Sequence, residues 1–548
     1  MKRKVFAYYP IIIVMVLVGL MIPTVKYITN PSTFFDILKF ASEDVKLNEI
    51  WAGVFGPLNF DYYDLPGGLG TNLIRSRINW GDVEREENSY IWDDEEIRMM
   101  DQYVESGNRV VPVIKIRGGK HDFWAVDSPL NKEERDNVIH DCSWMPKDTQ
   151  DRFNRKYGYS KTYYDFIVQI LNRYKGKIEM IVIENEPDAV GFWCDSGDPV
   201  NDMKGYIKIL RTAKKAASDV DLNVEVVDGG VCSKAVPYSM VKNYLNQGLD
   251  QKALDFWHGT MKHNKNLETT SLRVLKRFFN NNEAALTKIE RVDYLFDYLP
   301  SVSKVINFHY KEDVEYYSEI IDYIRSRVGN NVQLMNNELG TKQKPAENIY
   351  DEAAKSTVKF LVYSYVFNVK PIIWYARDHG EYSAIGILDE NGIHEDWETY
   401  KALKTGLKFL NKEFIRVQDV SNDKLFQYLF ATEKESIKVV WNKTGFQESI
   451  DLPEKCEVYS YLGDRIQGET TMELPVFIVC PNIVNGGDFE CRPRFSKCLD
   501  KKTMVYCGDD AKWGDPIDCF QNEWCVTNKC ELMSPQDPSP SFKPSHWK

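Results

Sequence analysis

Two short motifs, far apart in the chain, each place a glutamate directly after an apolar run. Glu186 lies in Ile-Glu-Asn-Glu-Pro after residues 180–183, and Glu338 lies in Asn-Asn-Glu-Leu-Gly after residues 332–335. Each apolar run predicts a buried strand that delivers its glutamate at the C-terminal end. Such a pair suits the hydrolysis of glycosidic bonds, in which one carboxyl group protonates the leaving oxygen and the other faces the sugar carbon.

The segments that must position these glutamates alternate between short apolar strands and amphipathic helices from about residue 46 to 415. This alternation indicates a parallel sheet with crossover helices, and the size fits a (β/α)8 TIM barrel within the α/β class. The eight predicted strands are 51–55, 73–79, 110–116, 178–183, 224–227, 305–309, 332–335 and 372–375. Because the C-terminal strand ends of such a barrel share one face, Glu186 and Glu338 are predicted to meet in one bowl.

The pattern changes after about residue 420. Short strands with turns between them predict a small antiparallel β-sandwich over 420–485. A cysteine-rich segment over 488–532 follows, and its cysteines lack zinc-site spacing, which favours a disulfide module of undetermined connectivity. The six cysteines are Cys491, Cys498, Cys507, Cys519, Cys525 and Cys530. The Ser/Pro-rich tail, 533–548, is predicted to be disordered.

Five other cysteines lie upstream of this module. Cys142 and Cys194 each follow a predicted barrel strand, so they are expected on one rim, where they could form a disulfide. Cys456 and Cys480 could pair within the β-rich segment, which would leave Cys232 unpaired. Disulfides are typical of exported proteins.

The N-terminal segment, 1–30, combines a basic start at 2–4 with an apolar stretch over 6–25. About 20 apolar residues span a bilayer, so we predict a retained single-pass anchor with its basic end in the cytoplasm. A cleaved signal peptide is the competing interpretation, and a buried core helix is a third. The first two interpretations place the rest of the chain outside the cell, at the membrane surface or secreted.

The formal net charge of −12, with no basic block, argues against nucleic acid as a partner. The eight histidines show no ligand pair at helical spacing, so no metal site is expected, and no nucleotide-binding loop or serine-nucleophile motif occurs. We therefore expect no cofactor. The sequence leaves the oligomeric state open.

Several segments in the range 46–415 carry a family resemblance. They are 75–80 followed by Glu84 and 90–93, 174–177 followed by 184–187, 308–310, 337–340, and Trp374. In this order they resemble the retaining glycoside hydrolases of clan A, closest to the β-xylosidase-like and related β-glycosidase branches. The resemblance implies cleavage of O-glycosidic bonds in an oligo- or polysaccharide, with β-linkages expected. It leaves the sugar and exo or endo action open.

The resemblance also implies residue roles. Glu186 would be the general acid/base and Glu338 the nucleophile. The implied substrate-binding set is Asn185 at the sugar 2-hydroxyl, Arg75 and Tyr310 in support of Glu338, His309 as the other candidate on strand six, and Trp374 beneath the sugar. A neighbouring carboxylate and partial burial are expected to raise the pKa of the acid.

Three positions depart from the family pattern. Glu184 stands where members often have tryptophan, and Asn337 stands where they often have threonine or serine. His309 and Tyr310 are adjacent, whereas the strand-six histidine and tyrosine usually have a residue between them, so the choice between the two stays open.

Each candidate also has a structural interpretation, as an ion-pair partner, a core histidine or a packing aromatic. At the level of function, the alternative is a non-catalytic surface protein that binds glycan in a barrel-like cleft.

Overall fold

The computed structural model describes residues 52–55, 68–118, 123–137, 141–150, 159–265, 267, 270–344, 348–379, 384–389, 392–432, 434–443, 455–467 and 474–481, and the backbone of five short strands between 496 and 532. Three predicted features lie outside these residues: the N-terminal segment, the tail, and one of the short strands predicted within 420–485, at 448–452. No helix in the described part of the chain is long and apolar enough to cross a membrane.

A parallel sheet contains all eight strands predicted between 46 and 415. They are β1 Ala52–Phe55, β2 Leu73–Asn79, β3 Arg109–Lys115, β4 Met180–Ile183, β5 Glu225–Asp228, β6 Val305–Tyr310, β7 Gln333–Leu339 and β8 Val369–Tyr375. Their order is β5-β4-β3-β2-β1-β8-β7-β6, and every pairing is parallel. A (β/α)8 barrel has this order when it is opened between its fifth and sixth strands.

The two end strands of this order are joined by hydrogen bonds. Val231, just beyond β5, forms a parallel bridge with Phe308 of β6. The His309 amide donates to Val231 O at 2.8 Å, and the Asn307 amide donates to Asp228 Oδ2 at 2.9 Å. Backbone and side-chain bonds therefore connect β5 with β6.

Helices lie between the strands. They are α1 Trp80–Val83, α2 Glu95–Glu105, α3 Lys132–Asn137, α4 Lys161–Arg173, α5 Pro199–Val220, α6 Ala235–Asn246, α7 Asp250–Thr260, α8 Leu272–Asn281, α9 Glu283–Tyr298, α10 Tyr317–Val328, α11 Ile349–Val366 and α12 Glu398–Leu410. Short 3-10 turns occupy Lys147–Gln150, Leu299–Ser301 and Val314–Tyr316. Helices α6 to α9 form the long excursion between β5 and β6.

Helix α2 shows how local sequence sets these boundaries. It begins after Asp94, whose side chain accepts a hydrogen bond from the Glu96 amide and so satisfies a free donor of the first turn. Ile97 and Met100 are buried at helical spacing against the sheet. Gly107, with φ +80°, follows the helix and turns the chain into β3.

Alternation along the strands separates an inner face from an outer one. Nine apolar residues from seven strands form a cluster distinct from the core between sheet and helices. They are Leu73, Val111, Val113, Met180, Val182, Val227, Val305, Met335 and Ile373. Side chains two or four residues further along these strands therefore share the inner face and rise toward the C-terminal ends.

The C-terminal strands form an antiparallel sheet, as predicted. The strands are β9 Arg416–Asp419, β10 Leu425–Ala431, β11 Glu435–Asn442, β12 Glu457–Ser460, β13 Arg465–Ile466 and β14 Val476–Pro481, in the order β9-β10-β11-β14-β12-β13. This sheet packs on the helices of the larger sheet, since Trp441 contacts Tyr363 of α11 and Phe477 contacts Phe409 of α12. The described residues contain this one sheet of the segment, so the two-sheet sandwich stays a prediction.

Shorter strands complete the described structure. Thr341–Lys342 pairs with Ala384–Ile385, and Leu388–Asp389 pairs with Gly392–Ile393. In the cysteine-rich segment, Ser496–Cys498, Thr503–Tyr506 and Ile517–Asp518 form one small sheet, and Glu523–Val526 pairs with Lys529–Leu532.

Two disulfides are present where the sequence suggested them. Cys142 pairs with Cys194, and Cys456 pairs with Cys480, while Cys232 is a free thiol. The first bond joins the segments that follow β3 and β4, and both its cysteines are fully buried. It therefore ties together two loops at the C-terminal ends of adjacent strands.

The Cys142–Cys194 bond is expected to make a large contribution to stability. It closes a loop of 52 residues, and loop-closure entropy then predicts that Cys142→Ala with Cys194→Ala lowers the free energy of unfolding by about 4 kcal/mol. Denaturant titration under non-reducing conditions measures this loss. The matched control is the Cys456–Cys480 pair, whose span of 24 residues predicts about 3 kcal/mol. An unchanged unfolding midpoint in the first variant would contradict the expectation.

Candidate active site

Glu186 and Glu338 extend from two non-adjacent strands of the sheet, β4 and β7, and approach each other at the C-terminal ends of these strands. Glu186 lies three residues beyond β4, and Glu338 lies near the end of β7. A carboxylate oxygen of each, together with a ring nitrogen of His309, lie within 4.8 Å of one another. Their side chains are 12% and 8% exposed, respectively. The two carboxyl groups predicted to share a bowl are therefore brought together.

His309 connects the two glutamates. Its Nδ1 lies 2.9 Å from Glu186 Oε1 and 3.6 Å from Glu338 Oε2, and its Nε2 lies 2.7 Å from Asn337 Oδ1. The ring is fully buried and packs against Gly230, where a built Cβ would lie 2.4 Å from Nε2. Gly230 has φ +79°, so both its conformation and its contact with the ring require glycine.

Arg75 links Glu338 to the Asn-Glu-Pro segment. From β2 its guanidinium donates to Glu338 Oε1 at 2.5 Å and to Asn185 Oδ1 at 2.5 Å. The first contact orients Oε1 of Glu338 and leaves Oε2 to other partners. The second contact uses the amide oxygen of Asn185, so the Asn185 Nδ2 group is the donor left for a ligand hydroxyl. The structure thus brings Arg75 and Asn185 to the glutamate pair.

Lys311 is a site residue that the sequence analysis missed. It directly follows β6, and its ammonium group donates to Glu338 Oε2 at 2.8 Å. The same group lies 4.1 Å from the ring centre of Tyr375. Glu338 is therefore held by Arg75 at one oxygen and by Lys311 at the other.

Tyr310 and Trp374 do not reach the site, contrary to prediction. The Tyr310 hydroxyl donates to the Asp313 carbonyl at 2.8 Å, and its ring stacks on Tyr317 of α10. Trp374 is 2% exposed and belongs to the core between sheet and helices. Both side chains lie on the outer face of their strands, which packs against the helices, so they point away from the bowl.

The residues next to Tyr310 and Trp374 in sequence have side chains on the inner face of the sheet. On β6 the inner face carries Val305, His309 and, one step further, Lys311. On β8 it carries Ile373 and then Tyr375, whose hydroxyl lies 2.6 Å from His379 Nε2. The choice between the two strand-six candidates is therefore resolved in favour of His309, and the aromatic residue of β8 near the site is Tyr375.

Glu184, one of the three departures from the family pattern, links two neighbouring strands of the sheet. Its Oε1 accepts a hydrogen bond from the Ile116 amide at 2.7 Å, which ties the end of β4 to the end of β3. Burial raises the pKa of Glu184 to about 7, against the effect of the nearby Lys115 charge. Glu184 and Glu186 have φ values of 68° and 44°. Such left-handed conformations are costly for these residues, and they turn the chain so that the two acids diverge.

The surrounding charges set the ionisation of Glu338. Burial raises the pKa of Glu338, but Lys311, His309 and Arg75 outweigh this effect and hold its pKa well below the ordinary value. A carboxylate that is ionised at all moderately acidic pH values is the state that a nucleophile requires.

The pKa of Glu186 differs from the expectation. Burial raises the pKa of Glu186, and Glu338 adds to this effect. The hydrogen bond to His309, the electrostatic effect of its ring and the charge of Lys311 together outweigh both, so the pKa of Glu186 falls below the ordinary value. The prediction of a raised value was wrong because it counted the two carboxylates and omitted the histidine between them.

Several of the similar solved structures are glycoside hydrolases. A family 39 glycoside hydrolase from the gut symbiont Bacteroides cellulosilyticus WH2 has 13% identity and a TM-score of 0.48, over 80% of this chain and 82% of that chain. A GH30 endoxylanase from Clostridium papyrosolvens C71 has 11% identity and a TM-score of 0.45, over 80% of this chain and 98% of that chain. A family 44 xyloglucanase from Paenibacillus polymyxa has 13% identity and a TM-score of 0.44, over 79% of this chain and 96% of that chain.

No family model matches the sequence, and no curated protein matches it. The similarity to solved structures, at these identities and scores, carries no conclusion about the activity of this chain. The chemical argument therefore rests on the geometry of its own residues.

Glu186, His309 and Glu338, here called the central cluster, could also bind a metal ion. Glu186, His309 and Glu338 offer ligand atoms within 4.8 Å of one another. However, Arg75 and Lys311 each donate to an oxygen of Glu338. Two cations at one carboxylate repel a further cation and already use one lone pair of each of its oxygens.

Lys311→Met tests the electrostatic role of Lys311. Because Lys311 lowers the pKa of Glu338, its loss raises that pKa. If Glu338 acts as a nucleophile, it must be ionised, and the acid limb of the kcat/KM profile then moves to higher pH, by about one unit or more. The pH dependence of the aryl glycoside hydrolysis proposed for this chain measures this shift. Lys311→Arg keeps the charge and is expected to stay close to the wild-type profile, while an unmoved acid limb in Lys311→Met would exclude this role.

Proposed function

We propose that this chain is a retaining glycoside hydrolase that cleaves β-linked O-glycosidic bonds by double displacement on a closed (β/α)8 barrel. The observation that carries the proposal is the approach of Glu186 and Glu338 to within 4.8 Å, measured between a carboxylate oxygen of each. Retaining enzymes hold their two carboxyl groups about 5–5.5 Å apart, whereas inverting enzymes need about 6.5–9.5 Å to admit a water molecule. The observed approach favours retention.

In the first step of the proposed reaction, Glu338 attacks the anomeric carbon while Glu186 donates its proton to the leaving oxygen. The glycosidic C–O bond breaks, and an ester forms between the sugar and Glu338. In the second step, Glu186 takes a proton from water, whose oxygen displaces Glu338. The sugar leaves with its original anomeric configuration, and both carboxyl groups return to their starting states.

The other residues of the site assist these steps. Arg75 and Lys311 keep Glu338 ionised and fix the direction of its oxygens. His309 holds Glu186 through Nδ1 and is itself fixed by Asn337. Such preorganised donors act without reorganisation during the reaction. A hydroxyl beside the anomeric carbon is the group that Asn185 is placed to bind.

A non-catalytic glycan-binding protein remains the alternative function. Such a protein needs no pair of converging carboxylates, and it gains nothing from a carboxylate whose two oxygens are each held by a cation. Turnover of aryl glycosides by the full chain separates the two functions, since a pure binder releases no phenol. The assay includes a chelator, because loss of turnover on chelation would transfer the chemistry to a metal at the central cluster.

Trapping with 2-fluoro activated glycosides, followed by peptide mapping, tests the mechanism directly. The expected result is a covalent glycosyl group on Glu338. A label on another residue would overturn the assignment of the nucleophile, and product of inverted configuration would overturn double displacement.

The proposal places the site outside the cell, with the N-terminal segment as a membrane anchor. The two disulfides support an oxidising compartment. N-terminal sequencing of the exported protein, with fractionation of membranes, distinguishes an intact anchor from a cleaved signal. A reduced protein in the cytoplasm would contradict export.

A further inference from the structure

A cavity of about 420 Å³ lies in the connection between β3 and α4. Its walls come from residues between 123 and 147, among them Phe123, Trp124, Asp127 and Lys147. Sites that hold small organic ligands have volumes of about 300–1,000 Å³, so this cavity is large enough for one. None of the residues that line it takes part in the proposed chemistry, which leaves the cavity without a role.

The loop that forms the cavity is joined to the loop that carries Glu186. The first loop follows β3 and the second follows β4. The Ser143 amide donates to the Phe192 carbonyl at 2.8 Å, and the Cys194 amide donates to the Ser143 carbonyl at 2.9 Å. The cavity therefore lies at the C-terminal ends of the strands, on the face of the barrel where substrates bind in this fold.

Trp124 gives the cavity an aromatic wall that is fixed in place. Its Nε1 donates to the Glu84 carbonyl at 2.8 Å, and its ring packs edge-to-face against Trp80 and Phe123. Trp80 and Phe123 are buried, whereas Trp124 stays partly exposed. A tryptophan held in this way offers a rigid amphipathic surface at a low cost in conformational entropy. The C–H face of a sugar ring is a ligand surface that suits it.

Asp127 and Lys147 add polar groups to the same cavity. Lys147 Nζ lies 3.1 Å from Asp127 Oδ1, and the two side chains are 47% and 74% exposed, respectively. The carboxylate accepts hydrogen bonds and the ammonium group donates them, so the pair can bind neighbouring hydroxyl groups of one sugar. Because these two charges are paired with each other, and Arg135 of the lining makes an interaction of its own, the cavity suits a neutral polar ligand.

We propose that this cavity is a distal subsite, which binds a neutral sugar unit of the substrate away from the bond that is cleaved. This inference rests on the proposed glycosidase function and adds that the enzyme favours long glycan chains over short ones. The cavity shares a face with Glu186 but is lined by neither catalytic glutamate, so it binds a different sugar unit from the one that reacts. Binding energy from remote parts of a substrate raises kcat/KM.

Chain length tests this proposal on the full chain. The probes are neutral β-1,4-linked xylo-, cello- and manno-oligosaccharides, from disaccharide to hexasaccharide. In at least one series we expect kcat/KM to rise about tenfold or more with length. Asp127→Ala with Lys147→Ala is expected to lower kcat/KM for the hexasaccharide by about tenfold and to leave the disaccharide value near wild type. Both side chains are exposed, so their removal is not expected to disturb folding. Trp124→Ala is the second variant, with the same expected pattern.

A control variant removes a similar ion pair elsewhere. Lys215→Ala with Asp219→Ala deletes an exposed pair near the C-terminal end of α5, on the opposite face of a barrel of this kind. It is expected to leave the ratio of hexasaccharide to disaccharide kcat/KM unchanged. Three results would overturn the inference: wild-type kcat/KM that does not rise with length in any series, an unchanged ratio in the Asp127 and Lys147 variant, or equal losses on short and long substrates in that variant.

Failure of the proposed function gives a different pattern. If no glycoside is cleaved, calorimetric titration of the full chain with the three hexasaccharides decides the inference alone. Binding of at least one hexasaccharide that Asp127→Ala with Lys147→Ala weakens about tenfold or more would support a sugar site in the cavity. Binding that this variant leaves unchanged, or no binding of any hexasaccharide, would overturn it.

Discussion

Glu338→Gln is expected to abolish glycoside hydrolysis, with a loss of kcat on the order of 10⁴- to 10⁶-fold. The glutamine side chain keeps the shape of the group but cannot form the glycosyl ester. It also leaves Arg75 and Lys311 facing a neutral amide, where both now donate to carboxylate oxygens at 2.5 and 2.8 Å. Kinetics with aryl glycosides, analysed with the purified full chain, measure the loss.

Two further measurements make this result specific. Glu338→Gly with added azide is expected to yield a glycosyl azide of inverted configuration, because azide enters the space that the nucleophile leaves. Glu312→Gln is the matched control, since Glu312 is a buried acid paired with Lys342 and lies outside the catalytic pair. If Glu312→Gln lost as much activity as Glu338→Gln, removal of any buried carboxylate would explain the effect, and the nucleophile would be unassigned.

The sequence predicted the architecture well because apolar runs mark buried parallel strands strongly. All eight strands of the larger sheet were placed within a few residues. The capping aspartate, buried stripe and terminating glycine of α2 are explained by local chemistry alone. The two glutamates could be paired in advance because strand ends in a parallel sheet share one edge.

The side-chain phase along β6 and β8 was available from the sequence but was not used. Val305 and Ile373 belong to the inner cluster, so His309 and Tyr375 must face the bowl, and Tyr310 and Trp374 must face the helices. The family resemblance left the choice between His309 and Tyr310 open and suggested Trp374 on β8. Period-two counting from the apolar residues would have favoured His309 and replaced Trp374 by Tyr375, and one further step along β6 would have found Lys311.

Other features of the site depend on tertiary contacts that no local pattern contains. The register of β7 shifts between Asn336 and Leu339 against β8, so counting along this strand does not give the direction of Glu338. Arg75 reaches both Asn185 and Glu338, which are 110 and 263 residues away in sequence. The pKa of Glu186 depends on His309, 123 residues away. These properties arise only when the strands are assembled.

Glu186→Gln is expected to have an effect that depends on the leaving group. With a poor leaving group, which needs a proton, kcat/KM falls by about 10² to 10⁴-fold. With a dinitrophenyl group, which departs without a proton, the fall in kcat/KM stays below about tenfold, because the first step needs no acid. Deglycosylation lacks its base in this variant, so the glycosyl-enzyme accumulates, and azide is expected to speed its breakdown and give product of retained configuration.

The pH profile provides an independent check on Glu186. The acid must be protonated in the free enzyme, and the contacts with His309 leave its pKa below the ordinary value of 4.5. Wild-type kcat/KM with a poor leaving group therefore falls as the pH rises through that low pKa, which predicts an acidic optimum. Glu186→Gln has no such alkaline limb, whereas Glu184→Gln, which removes a buried carboxyl group two residues away, keeps it. A wild-type optimum above neutral pH, or the same limb in Glu186→Gln, would assign the proton donor to another group.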